Sequence, residues 1–149
     1  MTREAVMARA QDNFDGGVNF EDLVSEISIP TESQNSLHLP DLYRYLIDEM
    51  QIAFDAMGYE CRSYDNPTEG KGPVQLDHRQ EGGELPIVFG CGHGDMVHGY
   101  DGLFSRRIEQ QVGKIFGSGT AGNKGQHCLH MAGVYGDIGD PMTPVLARG

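Results

Sequence analysis

Cys91, His93 and Asp95 stand at alternate positions where the apolar run 85–91, LPIVFGC, gives way to GHGDMV. In a strand, residues two apart project from the same face, so the three side chains would point together out of the strand's carboxyl end. Open α/β sheets hold their ligands at that edge. A neutral imidazole is a good zinc ligand, and a carboxylate that accepts its other N–H fixes the tautomer and raises its basicity. The competing reading is a histidine hydrogen-bonded at a strand end, with Cys91 a small buried hydrophobe and His98 facing solvent.

A second cluster follows in residues 117–127, GSGTAGNKGQH. Gly117, Gly119 and Gly122 satisfy GxGxxG, which serves dinucleotides only within a βαβ unit whose second strand carries an acid about 20 positions on. Asp137 has the right count but lies in a tail rich in breakers with no apolar strand before it, so nucleotide binding is a minor alternative. The plainer reading is a tight glycine turn entering a helix, with Lys124 solvated. His127 and His130, three apart, share a helix face and either bind a metal or flank the core.

The elements that must carry these loops are legible from spacing. Residues 2–13 have helix-forming order, and Asn19 is placed to cap a second helix through FEDLVSEI, which Pro30 ends. Residues 39–57 are the clearest helix: Leu39, Leu42, Tyr43, Leu46, Ile47, Met50, Phe54 and Met57 form one apolar stripe, Pro40 is tolerated in the first turn and Gly58 stops the run. Residues 59–64, 74–78 and 85–91 read as strands, the last apolar enough to be a buried central one. Residues 107–109 and 114–116 are weaker strands. Asn123 and Gln126 have capping-box spacing for a last helix, and 136–149 reads as an irregular tail. We expect an α/β fold, a mixed or mostly parallel sheet flanked by helices, in one domain over residues 1–149.

Composition narrows the partners. With 149 residues and 38% hydrophobic content, the chain can bury one ordinary core. A net charge of −11, its carboxylates scattered, argues against nucleic acid and anionic membranes and more easily accommodates cationic ions or substrates. Three dispersed cysteines without a CxxC pair suggest neither a disulfide framework nor a zinc finger and fit a reducing cytoplasm. No run approaches membrane-spanning length, and the first 17 residues do not read as a signal peptide.

Taken together, the two clusters resemble the dinuclear-zinc metallopeptidase family that includes aminoacylases, acetylornithine deacetylases, succinyl-diaminopimelate desuccinylases and glutamate carboxypeptidases. Its strand-end motif GHxDxV is matched by Gly92, His93, Asp95 and Val97. Its second motif, GxGxxDxKG, is matched at Gly117, Gly119, Lys124 and Gly125, with SIPTES (28–33) and YDGLF (100–104) as supporting context. The resemblance implies a zinc-peptidase-like fold of which this chain would carry the N-terminal, truncated part of the catalytic domain. It implies zinc, with cobalt or manganese as alternatives, and hydrolysis of amide bonds in small peptides or N-acyl amino acids through a metal-activated water. It makes His93 a metal ligand and Asp95 the catalytic carboxylate that orients it. The bridging aspartate falls at Gly122, with Asn123 beside it, and the family's Glu-Glu pair and later ligands cannot be placed. The alternative class is a non-catalytic binding or assembly protein that keeps the fold. A truncated sheet would leave an apolar edge, so self-association is expected.

Overall fold

The computed structural model describes residues 2–80, 82, 86–97, 109–111 and 114–138. Helix α1 (Arg3–Asp15) begins at Thr2, whose hydroxyl accepts the N–H of Ala5 at 3.3 Å. The Gly16-Gly17 pair breaks the run, and Gly17, at φ 82°, turns the chain directly into α2 (Val18–Ser28). Asn19, expected as the cap of this helix, instead lies inside it and is buried. Gly17, two positions earlier, occupies the cap position and has already made the turn.

The long helical run has three parts: α3 (Leu39–Arg44), a π-helical stretch (Tyr45–Gln51) and α4 (Ile52–Ala56), ended by Gly58 at φ 79°. An uninterrupted α-helix was expected. The π turn hydrogen-bonds five residues apart, which puts Tyr45 on the same buried side as Met50, Ala53 and Met57 and turns Ile47 out to solvent. Tyr45 thereby enters the core although the α-helical stripe passes it by.

Strands β1 (Glu60–Tyr64) and β2 (Val74–His78) pair antiparallel, Glu60 opposite His78 and Tyr64 opposite Val74. Strands β3 (Glu109–Gln111) and β4 (Lys114–Phe116) form a second short antiparallel ribbon. Among the described residues both ladders are antiparallel, and the parallel sheet expected from the sequence is not found. The run expected as its central strand has no assigned secondary structure over residues 86–91 and, among the described residues, joins neither ribbon: Ile87, Val88 and Phe89 are 97%, 90% and 81% exposed, and Cys91 is exposed rather than buried. Apolar, β-branched composition makes a segment fit for a strand, but a strand exists only where a neighbour supplies the other half of the ladder.

Helix α5 (Asn123–Ile138) packs on α1 and α2 and runs past residue 136, where an irregular tail was expected; the rest of that tail, residues 139–149, lies outside the described residues, as do Leu85, His98, Arg107 and Ile108. The helices close around two adjoining apolar clusters. Ile29, Tyr45, Met50, Ala53, Met57, Met131 and Ala132 form one, and Leu23, Ile27, Met96 and Cys128 the other. Helices with antiparallel ribbons, an α/β mixture, are thus what the sequence builds, and among the described residues no helix is long and apolar enough to cross a membrane.

Candidate functional site

The loop that carries His93 is held from below by the segment Ile29–Ser33. Thr31 is fully buried; its hydroxyl donates to the Gly94 carbonyl at 2.6 Å, and its own carbonyl accepts the N–H of Met96 at 2.8 Å. Two residues on, the Ser33 hydroxyl donates to Asp95 Oδ2 at 2.7 Å, while Asp95 Oδ1 meets His93 Nδ1. SIPTES therefore has a defined task. It sets a Ser33–Asp95–His93 chain in which the carboxylate faces Nδ1 and orients the ring.

Gly92 and Gly94 are there because of what lies beneath them. A Cβ on Gly92 would run into the His127 ring, and one on Gly94 into the ring of Tyr45. Partial burial works to raise the pKa of Asp95, but the hydrogen bonds from Ser33 and His93, with the imidazole's charge, hold it below the ordinary carboxylate range. At neutral pH it is an anion that can orient the ring.

From the other side the turn 117–122 brings up the start of α5. Gly119 adopts φ 91°, Thr120 closes the turn by donating its hydroxyl to the Gly117 carbonyl at 2.9 Å, and Asn123 becomes the first helical residue. Its amide nitrogen does not cap the helix; it lies against the His93 ring, 2.9 Å from Nδ1 and in contact with Nε2. The two clusters read in the sequence, about 30 residues apart, therefore meet at His93 and Asn123. Gly122 sits at the same corner, where an added Cβ would touch only the Gly119 backbone, at 3.5 Å and beyond, in a backbone conformation open to any L residue.

Lys124, expected in solvent, is 1% exposed. Its ammonium donates to the carbonyls of Glu26 at 2.7 Å and Ile29 at 2.8 Å and stands 4.4 Å from the centre of the Tyr45 ring. The Tyr45 hydroxyl donates to Glu26 Oε2 at 3.2 Å and lies 3.1 Å from His127 Nδ1. Burial raises the pKa of Glu26 to about 8 and lowers that of Lys124 to about 8. Burial, followed by the neighbouring His130, His93 and Lys124, also lowers the pKa of His127, which favours its neutral form. His130 is exposed. This polar knot beneath the loop was not foreseen; Glu26 between Leu23 and Ile27 of α2 was the signal that could have suggested it.

The donor set can be tested against a metal centre. A catalytic zinc takes about three protein ligands and an open position. Here Asp95 is engaged with one nitrogen of the only matched imidazole, the Asn123 amide lies against the other, and Gly122 contributes no oxygen. Among the described residues no group of three or more His, Cys, Asp or Glu side chains converges on a common point. The residues present do not fit a two-zinc centre, in which a shared anion must offset the repulsion of the ions. The GSGTAG turn also lacks its dinucleotide setting: β4 before it belongs to an antiparallel ribbon, and Asp137 falls on α5, the helix that follows the turn. No protein-family model, curated protein or solved structure matches the chain.

Proposed function

We propose that the chain has the site plan of a zinc-dependent hydrolase acting on amide bonds in small peptides or N-acyl amino acids, with a mixed or mostly parallel, helix-flanked sheet of the zinc-peptidase type as the parent fold. In this plan His93 is the metal ligand, Asp95 its orienting carboxylate and Gly122 the vacated bridging position. The observation that carries the reading is the meeting of His93, already oriented by Asp95 and Ser33, with Asn123 beside Gly122. Two distant segments converge on one imidazole, whose Nε2 meets Asn123 beside the position where a bridging acid would stand. As it stands the chain is incomplete and inactive as a hydrolase, because a lone oriented histidine falls short of a catalytic ligand set.

The second reading, a non-catalytic binding or assembly protein, is favoured by one specific contact: the Asn123 amide already satisfies the His93 nitrogen that a metal would take. Gly122→Asp separates the two. The corner has room for the side chain, so on the hydrolase plan calorimetry with zinc should show at least about a tenfold gain in affinity from the added carboxylate. An unchanged zinc isotherm with the fold intact would leave only the non-catalytic reading.

A further inference from the structure

Glu26, Tyr45 and His127 form a hydrogen-bonded line beneath the loop at residues 92–94. The Tyr45 oxygen is 3.2 Å from Glu26 Oε2 and 3.1 Å from His127 Nδ1. At the outer end of the line, His127 Nε2 is the first atom that an added Cβ on Gly92 would strike. Glu26 and Tyr45 are buried, His127 is half-buried and Gly92 is exposed. The metal plan uses none of these three side chains.

A phenol carries one proton and cannot donate to both neighbours at once. With Glu26 ionised, Tyr45 donates to Oε2 and must accept from His127, which fixes the ring proton on Nδ1. With Glu26 protonated the order reverses. Its Oε1 is buried without a hydrogen-bond partner among the described residues, so the acid proton belongs on Oε2, where the Tyr45 oxygen can accept it. Tyr45 then donates to Nδ1, and the ring carries its proton on Nε2, against Gly92.

We propose that Glu26, Tyr45 and His127 form a proton relay in which the ionisation of Glu26 sets the tautomer of His127 beneath the site loop. As Glu26 ionises, its proton passes to the Tyr45 oxygen, the Tyr45 proton passes to Nδ1, and the Nε2 proton leaves to solvent. One proton is released, and the phenol and the imidazole are neutral before and after. The loop at Gly92 rests on an N–H in one state and on a lone pair in the other.

The groups facing the relay agree with these states. Glu26 is faced by Tyr45 and Glu49 of the π-helical stretch, by Lys124 of α5 and by Asp22 of its own helix; burial dominates and holds its proton to about pH 8. Burial, then Glu26, with Glu49 and Cys128 adding to them, raises the pKa of Tyr45, which keeps the phenol un-ionised. His127 is faced by Tyr45, by His93 of the loop and by His130 and Lys124 of α5; burial first, then those charges, lowers its pKa below the ordinary 6.5, so the ring is neutral at pH 8.

Ring ¹⁵N spectra of the wild-type chain from about pH 6.5 to 9.5 test the relay. The Nε2–H tautomer is expected to give way to Nδ1–H, the two nitrogens shifting in opposite directions with a midpoint at about pH 8. Glu26→Gln and Tyr45→Phe, which keeps the ring under Gly94, should each abolish the transition. Lys124 titrates in the same range and is intact in Glu26→Gln, so a transition surviving in that variant would belong to Lys124 and overturn the proposal. One tautomer throughout, or both nitrogens moving together as in ionisation of the ring, would overturn it as well, and the wild-type spectra decide this even if a variant does not fold.

Discussion

At the residue scale, the glycines around His93 are as specific as the histidine. The loop lies on the rings of His127 and Tyr45, so side chains are excluded at Gly92 and Gly94, whereas Gly122 has open space. Gly92→Ala and Gly94→Ala should each cost about 1–3 kcal/mol, the usual penalty of overpacking. Gly122→Ala should stay within about 0.5 kcal/mol of the parent. Urea denaturation of the three variants checks the ordering, and equal stabilities would mean that the loop does not rest on those rings. Sequence spacing placed His93 and Asp95 correctly relative to one another. It did not reveal that Ser33, 60 positions away, completes their hydrogen-bond chain.

At the scale of elements, α2, the π-helical stretch and α5 share a buried polar knot. Glu26 holds its proton in the folded state up to about pH 8, against an ordinary value of 4.5. The unfolded chain releases that proton near pH 4.5, so the contribution of Glu26 to stability is full below that pH and is lost as pH rises toward 8. Lys124 runs the other way. Its folded-state pKa of about 8 lies below the ordinary 10.5, so its contribution is present above pH 10.5 and is lost as pH falls toward 8. Stability should therefore pass through a minimum near pH 8, with each limb on the order of 2 kcal/mol. Glu26→Gln should flatten the acid limb and leave the alkaline one, which urea titrations between pH 5 and 10 would show. A slope unchanged in the Gln variant would remove Glu26 as its source. The same knot explains why Lys124 is part of the glycine-turn motif: its ammonium ties the first turn of α5 to the carbonyls of Glu26 and Ile29 near the end of α2.

At the scale of the whole molecule, an acidic surface competes with an apolar strip. Ile87, Val88 and Phe89 are exposed in a segment that, among the described residues, joins neither ribbon, an apolar stretch able to recruit a second copy. Net charge of −11 opposes the approach of two copies. Self-association should accordingly grow with ionic strength, as screening shortens the repulsion to about 10 Å at 0.1 M salt. Val88→Lys should abolish it. Sedimentation velocity at low and high salt is the measurement, and a species that stays monomeric at both would contradict the expectation.

Periodicity and breakers alone determined α1, the long helical run, β1 and β2, because those features depend on neighbours within a turn or a hairpin. Residue type and local spacing also determined the oriented His93–Asp95 pair. Tertiary structure decided the rest. Whether the run 85–91 became a strand depended on a partner ladder, which no local pattern encodes. Lys124 was hidden because solvation is the ordinary fate of a lysine, and only the placement of α2 supplies the two carbonyls that make burial tolerable. The meeting of Asn123 with His93, 30 residues earlier, arises from where α5 packs against α1 and α2, about a hundred residues earlier. Such contacts are set by the shape of the assembled core rather than by anything either segment carries on its own.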